Sequence, residues 1–160
     1  MGKAFVYGDN LNTDLIIPGK YTKTLDFTEL ASHCLEDLDA SFIKEVKKGD
    51  VLVAGINFGC GSSREQAPIA IRYAGISAVI AKSYARIFYR NAINVGLPVL
   101  ECDTDMIKKG DEIRVDLNKG TITVNNKHVI LCQSFSPVMQ GILKEGGLVP
   151  FLKKNGDFII

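Results

Sequence analysis

The chain has only two histidines among its 160 residues, and neither is placed for nucleophilic catalysis. His33 lies late in a predicted helix, where an imidazole complements the negative helix end, and His128 lies on a predicted surface hairpin. Ser62 does not lie in the G-x-S-x-G pattern of a nucleophile elbow. The sequence therefore gives no support to a Ser-His-Asp hydrolase.

Cysteine is sparse as well, and its spacing argues against a metal site. Cys34, Cys60, Cys102 and Cys132 are far apart and form no Cys-x-x-Cys pair. We therefore expect no metal bound by this chain, since zinc and iron–sulfur sites need closely spaced ligands. Three of the cysteines are expected to act as small buried hydrophobic residues in a reducing compartment. Cys60 lies inside a glycine-rich turn, where it either contacts a ligand or is purely structural.

An excess of one charge and long apolar runs are also absent. With 19 Lys and Arg residues against 18 Asp and Glu, the net charge is +1, which favours neither nucleic acid nor an anionic membrane. No segment reaches the roughly 18 apolar residues of a membrane span, and the N-terminal residues lack a signal-peptide pattern. We therefore expect a cytoplasmic protein with no nucleic-acid and no membrane partner.

The apolar pattern predicts an α/β fold that mixes parallel and antiparallel strands. Uniformly apolar runs at 51–55, 77–81 and 97–101 alternate with predicted helices at 66–75 and 84–94, which is typical of a parallel sheet. The last third changes to alternating polar and apolar residues, which predicts antiparallel hairpins with one solvated face. Its predicted strands cover 112–117, 121–124 and 128–131.

Local signals add further elements. Asp26 as N-cap, with Glu29 three residues later, matches a capping box that opens a helix reaching about residue 34. Ser83 is the expected cap of the helix at 84–94. We expect a single domain over residues 1–152, followed by a mobile tail over 153–160. A strand at 4–7 and helices at 41–47 and 137–144 complete the prediction.

The most informative segment is the turn Asn-Phe-Gly-Cys-Gly-Ser-Ser-Arg-Glu at residues 57–65. It joins a predicted buried strand to a predicted helix, where free N–H groups and the helix dipole favour an anion. The glycines let a ligand approach the backbone, the serines offer hydroxyls, and Arg64 can hold a carboxylate through two parallel hydrogen bonds. The turn matches neither a Walker loop nor the dinucleotide fingerprint. It predicts a site for a small carboxylate or phosphate, unless it is only a structural cap.

This turn resembles the signature of the aconitase swivel domain. The resemblance continues in residues 8–16, 81–91 and 96–98 and covers about 4–152, the length of a separate small subunit. The chain is similar to the small subunits of the 3-isopropylmalate dehydratase and homoaconitase family. The resemblance implies an aconitase-type swivelling β/β/α domain that docks on a large iron–sulfur subunit, as a heterodimer or heterotetramer. It also implies that the [4Fe–4S] cluster is held by that subunit.

The resemblance further implies a hydro-lyase that is active only with the large subunit. The family reaction dehydrates a small di- or tricarboxylic hydroxy acid and rehydrates it with the hydroxyl on the neighbouring carbon. In this subfamily it converts 2-isopropylmalate to 3-isopropylmalate in leucine biosynthesis. Ser62 matches the catalytic base, and Asp14 matches an active-site aspartate. Gly61, Ser63 and Arg64 match the part of the turn that binds the substrate.

Two positions depart from the family pattern. Gln66 stands where the family often has His, and a loop that sets substrate choice has Tyr21, Thr22, Lys23 and Thr24 where the family often has Tyr-Leu and variable residues. These four are the candidate specificity residues. An apolar pair of residues in this loop suits an isopropyl group. Lys23 could instead pair with a third carboxylate or point to solvent. Homoaconitase, or a hydro-lyase of the methylmalate or dimethylmalate type, is therefore the alternative.

Two non-enzymatic functions use the same segment. A carboxylate-binding regulatory module would bind an acid at the turn without any large subunit. RNA binding, known for some aconitase relatives, is disfavoured by the near-neutral net charge.

Overall fold

The computed structural model of the chain describes residues 1–157. Its strands are β1 Gly2–Val6, β2 Val51–Ala54, β3 Ala78–Ala81, β4 Val99–Glu101, β5 Glu112–Asp116, β6 Thr121–Val124 and β7 His128–Leu131. Its helices are α1 Thr13–Ile16, α2 Phe27–Ser32, α3 Phe42–Glu45, α4 Gln66–Tyr73, α5 Arg86–Asn94, α6 Pro137–Lys144 and α7 Leu148–Asn155, with a 3-10 turn at Gly19–Tyr21. The strands form one sheet in the order β4-β3-β2-β1-β5-β6-β7.

The parallel half of the sheet is fully buried. β1 pairs with β2, β2 with β3 and β3 with β4, all in parallel, with Val53 opposite Ile80 and Ile80 opposite Leu100. Every residue of β2 and β3 is buried, as expected for strands whose faces are covered by crossover helices. The uniformly apolar runs in the sequence therefore predicted this half correctly.

The antiparallel half has one solvated face. β5 pairs with β1, and β6 and β7 continue outward, all antiparallel. In β6 Ile122 and Val124 are buried, whereas in β7 Val129 and Leu131 are exposed. This confirms the predicted hairpins and the mixed α/β class. β1 is the strand at which the sheet changes from parallel to antiparallel.

The carboxyl ends of β1, β2 and β3 meet at one edge of the sheet. Residues 7–13, 55–65 and 82–85 follow these three strands, so the topology brings segments from three parts of the sequence together there. In open α/β sheets, ligands bind at this edge. The fold thus places the glycine-rich turn at the edge where a binding site is expected.

The start of α2 confirms the predicted N-cap, although the capping box is completed differently. Asp26 Oδ1 accepts the N–H groups of Thr28 at 2.8 Å and Glu29 at 3.3 Å. Glu29 binds the Thr24 hydroxyl at 2.6 Å, and Thr24 Oγ1 accepts the Asp26 N–H at 3.1 Å. Thr24 therefore makes the contact that the box assigns to Glu29.

The prediction that Ser83 caps the next helix is wrong. α5 begins at Arg86, its N-cap is Ala85, and no side chain caps it. The Ser83 hydroxyl accepts the Asn57 N–H at 2.8 Å instead, and its carbonyl accepts the Phe58 N–H at 3.0 Å. Ser83 is used to hold the glycine-rich turn, which a local capping rule does not detect.

Short helices and the C-terminal region also differ from the prediction. The short helix α1 was not predicted, and the 3-10 turn at Gly19–Tyr21 extends into the segment predicted as a loop. α7 continues past the predicted domain end at 152, and Lys154 Nζ lies 2.6 Å from Glu145 Oε1. The rest of the predicted tail, residues 158–160, lies outside the described residues, and the domain limits stay a prediction. Among the helices of residues 1–157, none has the length and apolarity needed to cross a membrane.

Candidate active site

A cavity of about 320 Å³ opens at the carboxyl edge of the parallel strands. The turn after β2 forms one wall, and the start of α5 forms the other. The lining residues are Thr13, Gly59, Gly61, Ser62, Ser63, Arg64, Ala85, Arg86, Ile87 and Phe88. The cavity therefore contains four of the predicted site residues, which come from one segment of the chain: Gly61, Ser62, Ser63 and Arg64.

The turn needs glycine at one position for two reasons. Gly59 has a φ of 75°, a conformation that side chains disfavour. A Cβ at Gly59 would also lie 2.2 Å from the Cγ of Phe88. The Phe88 ring packs against Phe58 with centroids 5.0 Å apart. The backbone at Gly59 thus rests directly on an aromatic cluster, which fixes the position of the turn.

Backbone hydrogen bonds join the turn to the segment after β1. The Gly59 N–H donates to the Leu11 carbonyl at 2.8 Å, and the Thr13 N–H donates to the Cys60 carbonyl at 2.9 Å. The Thr13 hydroxyl, which is buried, donates to the Ser62 carbonyl at 2.8 Å. The main chain that carries Ser62 is therefore held by contacts that do not occupy its side chain.

The hydroxyl groups of Ser62 and Ser63 line the cavity and are free to bind a ligand. Ser62 and Ser63 are exposed residues of the lining. Neither hydroxyl has a hydrogen-bond partner among residues 1–157, so both are available to a ligand. A hydroxyl can donate one hydrogen bond and accept others, which suits a carboxylate or a transferred proton.

Arg64 is anchored on one nitrogen. Its Nη1 lies 2.6 Å from Asp14 Oδ1 and donates to the Ile17 carbonyl at 3.2 Å. The Arg64 side chain is 20% exposed and the Asp14 side chain 56% exposed, and of the two only Arg64 lines the cavity. A guanidinium has five N–H donors, so Arg64 keeps donors for an incoming carboxylate. The predicted residues Asp14 and Arg64 are therefore brought into direct contact.

Arg86 gives the cavity a second guanidinium, which was not among the candidate site residues of the sequence analysis. It is the first residue of α5 and lines the cavity. The available signal was its position shortly after the parallel strand β3, because the carboxyl ends of such strands share one edge. α4 begins at Gln66, two residues after Arg64, and adds the positive end of a helix dipole. The two charged residues of the lining, Arg64 and Arg86, are both cations, and Asp14 partly balances the charge of Arg64.

The loop at residues 20–24 lies outside the cavity lining. Tyr21 stacks on His33 with ring centroids 3.6 Å apart. Lys20 and His33 both contact Glu36, with the Lys20 Nζ 3.3 Å and the His33 Nδ1 2.6 Å from its carboxylate oxygens. Burial raises the pKa of Glu36, but hydrogen bonds from His33, Tyr21 and Lys20 together hold this pKa below its usual value. Tyr21 is thus held by a surface cluster.

The other loop residues also have defined places. Gln66 Nε2 donates to the Thr22 carbonyl at 3.1 Å, which ties the loop to the start of α4. Lys23 is exposed and has no hydrogen-bond or ion-pair partner within residues 1–157. Thr24 is engaged at the α2 cap. Among the described residues, Lys23 is therefore an unpaired cation of the loop, and it is not a residue of the cavity lining.

The cysteines differ from the expectation in two cases. Cys34 is fully buried, as predicted, and burial raises the pKa of its thiol. Cys102 and Cys132 are only half-buried, because both lie at strand ends. Cys60 Sγ lies 3.5 Å from the Asn10 carbonyl and is not a lining residue. Within residues 1–157, no group of three or more His, Cys, Asp or Glu side chains is arranged to hold a metal ion.

The aconitase C-terminal domain model matches residues 19–105, which include the glycine-rich turn and α5. The chain belongs to this family. It is 59% identical over 155 residues to the 3-isopropylmalate dehydratase small subunit of Caldicellulosiruptor saccharolyticus, covering 95% of this chain and 90% of the relative. It is 58% identical over 155 residues to the methanogen homoaconitase small subunit of Methanocaldococcus jannaschii, covering 96% and 91%.

A solved structure confirms the fold beyond the limits of that match. The crystal structure of a 3-isopropylmalate dehydratase from Methanocaldococcus jannaschii superposes with a TM-score of 0.92 and 57% identity, covering 97% of this chain and 93% of that chain. The aconitase-type domain architecture predicted from residues 57–65 is therefore correct for nearly the whole chain. Relatives named for two different substrates are about equally identical to this chain, so overall sequence identity does not determine the substrate.

Proposed function

We propose that this chain is the small subunit of a two-subunit hydro-lyase that isomerises 2-isopropylmalate to 3-isopropylmalate. The observation that carries the proposal is the cavity at the carboxyl edge of the sheet, in which the hydroxyls of Ser62 and Ser63 lie together with the guanidinium of Arg64. Dehydratase small subunits at 59% and 57% identity support it. The reaction belongs to leucine biosynthesis, and a reducing cytoplasm suits four cysteines that are all free thiols.

Ser62 is proposed as the base that removes the proton next to a substrate carboxylate. A serine hydroxyl is a weak base, so its alkoxide needs positive groups close by. Arg64, Arg86 and the start of α4 supply positive potential around the cavity. Because the Thr13 hydroxyl holds the carbonyl of Ser62, the serine side chain can act without the turn moving.

Arg64 and Ser63 are proposed to hold that carboxylate. The two parallel N–H groups of a guanidinium match the two oxygens of a carboxylate. Asp14 fixes one side of Arg64 at 2.6 Å and so orients the remaining donors. Gly61, with a φ of 90° and no side chain, leaves the backbone open to the ligand. Holding the acid in this way would place its acidic carbon beside Ser62.

We propose that the large subunit holds the [4Fe–4S] cluster, which would supply Lewis-acid chemistry for the loss of the hydroxyl. The described residues of this chain do not fit such a cluster, since no suitable group of ligands is present among residues 1–157. Cavity residues Arg86 and Ile87 are exposed in the isolated chain. We infer that the large subunit completes the active site over this face, in a heterodimer or a heterotetramer.

Homoaconitase activity is the second candidate, and two observations favour it. One relative at 58% identity is named a methanogen homoaconitase small subunit. Lys23 is an exposed cation without a partner among residues 1–157, so it is free to meet the extra carboxylate of a tricarboxylic acid. For isopropylmalate, Lys23 would instead stay in solvent, because an unpaired ammonium against an isopropyl group is costly.

The test is a hydration assay of this chain mixed with its reconstituted large subunit. Isopropylmaleate, cis-homoaconitate, cis-aconitate, citraconate and dimethylmaleate are offered side by side, with Lys23→Ala as the matched variant. The proposal expects the highest kcat/KM for isopropylmaleate and little effect of Lys23→Ala. Preference for the tricarboxylic acids, lost in Lys23→Ala, would establish the second candidate. Tight binding of the acids by this chain alone, with no association of a large subunit, would indicate a regulatory module.

A further inference from the structure

Two cysteines with no role in the proposed reaction lie next to each other. Cys102 follows β4 directly, and Cys132 follows β7 directly. β4 and β7 are the two outer strands of the sheet, so the strand order alone would separate them. Their thiols nevertheless lie close enough for each to shift the pKa of the other. The sheet is therefore curved enough that its two outer edges approach each other.

A backbone hydrogen bond holds the two cysteine-bearing segments together. The Gln133 N–H donates to the Glu101 carbonyl at 3.0 Å. Glu101 directly precedes Cys102 and Gln133 directly follows Cys132, so this bond keeps the two cysteine backbones close to each other. A disulfide spans Cα atoms about 4.4–6.8 Å apart, which suits neighbouring backbones joined in this way.

The chemistry of the pair also differs from that of the other cysteines. A hydrogen bond from the Cys102 thiol lowers the pKa of Cys132, and the Ile122 N–H acts in the same direction against the effect of burial. The hydrogen bond to Cys132, together with burial, raises the pKa of Cys102. Cys132 is thus the thiol that ionises first. By contrast, Cys34 is fully buried.

Small molecules can reach the pair. Both cysteines are partly exposed. A cavity of about 790 Å³ lies beside them, and its lining includes Glu101 and Gln133, the chain neighbours of the two cysteines. In reducing compartments, disulfides that do form are usually transient and serve redox sensing or catalysis. An accessible, preorganised pair of this kind is suited to such a role.

We propose that Cys102 and Cys132 form a redox-sensitive dithiol that hydrogen peroxide closes to an intramolecular disulfide. The Cys132 thiolate attacks one peroxide oxygen, which gives a sulfenic acid and, after protonation of the leaving hydroxide, one water. The Cys102 sulfur then attacks the Cys132 sulfur and displaces the second water. The two thiols lose two electrons, and one peroxide gains them. The bond fastens β4 to the segment that leads from β7 into α6.

The experiment treats the full-length reduced chain with hydrogen peroxide, alkylates the remaining thiols and maps the cysteines by mass spectrometry. The expected product is a monomer with a bond between Cys102 and Cys132, free Cys34 and Cys60, and full reversal by dithiothreitol. Cys102→Ser and Cys132→Ser should each abolish the bond, and Cys60→Ser should leave it unchanged. Four free thiols after treatment, a bond between two chains, or oxidation of Cys132 without Cys102 would each overturn the proposal.

Thermal stability gives a second readout that does not depend on activity. Closing the loop between Cys102 and Cys132 restricts the unfolded chain, so the Tm of the oxidised protein should rise by about 5 °C. The oxidised Cys102→Ser chain should show no such rise. A lower Tm after oxidation of the unmodified chain would mean that the geometry does not fit a disulfide and would contradict the proposal.

Discussion

The glycine-rich turn and the loop at residues 20–24 are both predicted to meet the substrate, but they are held in different ways. The turn is fixed by backbone hydrogen bonds to segments after two other strands and by the contact of Gly59 with Phe88. The loop is held by side chains at the surface, mainly through Glu36 and Gln66. The groups proposed for the chemistry thus depend on the fold, whereas the specificity segment depends on a few replaceable side chains.

This difference offers a physical reason why one scaffold can serve several substrates. Changing the turn would disturb the core, because Phe58 and Phe88 are buried beneath it. Changing the loop would cost only one or two surface contacts, each about 1 kcal/mol or less. The comparison predicts that replacing the proposed base or Gly59 in the turn affects rate or stability strongly, while variants of the loop affect mainly KM.

The largest expected effect is that of Ser62→Ala in the assembled enzyme. Removing the proposed base should lower kcat by about a thousandfold or more, since general bases contribute 10²–10⁴-fold. Ser63→Ala is the matched control and should mainly raise KM, because it only removes a substrate contact. Steady-state kinetics of the reconstituted enzyme measure both. Equal small effects of the two variants would contradict the assignment.

Gly59→Ala should come next, as a loss of stability. The added Cβ would lie 2.2 Å from Phe88 Cγ at a φ of 75°, which predicts a loss of about 2–4 kcal/mol from overpacking and backbone strain. The control is Gly110→Ala, where φ is 88° but no atom lies within 4 Å of the new Cβ. That variant should lose only about 1 kcal/mol. Urea denaturation of the isolated chain compares the two, and equal losses would show that the contact with Phe88 is unimportant.

Arg64→Lys tests whether two parallel N–H donors are needed at the cavity. A lysine keeps the charge but cannot bind a carboxylate through two parallel hydrogen bonds, so kcat/KM should fall by about a hundredfold. Arg90→Lys, an exposed residue of α5 outside the cavity lining, should change nothing. A decrease in kcat/KM of less than threefold for Arg64→Lys would mean that only the positive charge of Arg64 matters.

Gln66→Ala should have a smaller effect that is confined to binding. The variant loses the hydrogen bond to the Thr22 carbonyl, so KM should rise by about fivefold while kcat stays constant. Gln140→Ala removes a comparable bond, from its Nε2 to the Phe135 carbonyl at 3.1 Å, away from the cavity. It should leave KM unchanged. A fall in kcat for Gln66→Ala would show that the loop also positions the reacting groups.

The smallest expected effect is a pH dependence of hydrogen exchange in the loop at residues 20–24. Because the pKa of Glu36 is held below its usual value, its contribution to stability is present above its unfolded pKa, about 4.3. That contribution is lost as the pH falls through the lower folded value. Hydrogen exchange of residues 20–24 should therefore accelerate below about pH 4. Glu36→Gln should remove this step, and Glu45→Gln should retain it. An unchanged profile in Glu36→Gln would exclude the cluster as the anchor.

The sequence predicted the elements whose signals are local. Apolar runs identified β2 and β3, and Asp26 identified the start of α2. α7 was missed, because its lysines and asparagine beside glycines are typical of a tail. The use of Ser83 to hold the turn depends on contacts between β2 and β3 that a capping rule does not include.

Only part of the candidate site was predicted, because only some of its residues form a local motif. Ser62, Ser63 and Arg64 form one continuous motif, so their common location followed from the turn itself. Thr13 and Arg86 reach the cavity only because parallel strands end at one edge. The pairing of Cys102 with Cys132 requires the curvature of the whole sheet, which no local pattern encodes.

The central claim is that Ser62 transfers the proton, and deuterium incorporation tests it most directly. The reconstituted enzyme is given isopropylmaleate in D₂O, and NMR follows deuterium entering the carbon next to the carboxylate. The account predicts that the Ser62→Ala complex still binds the acid but incorporates deuterium about a thousandfold more slowly than the unmodified complex. Incorporation at the unmodified rate by Ser62→Ala would contradict the account and assign the proton transfer to another residue.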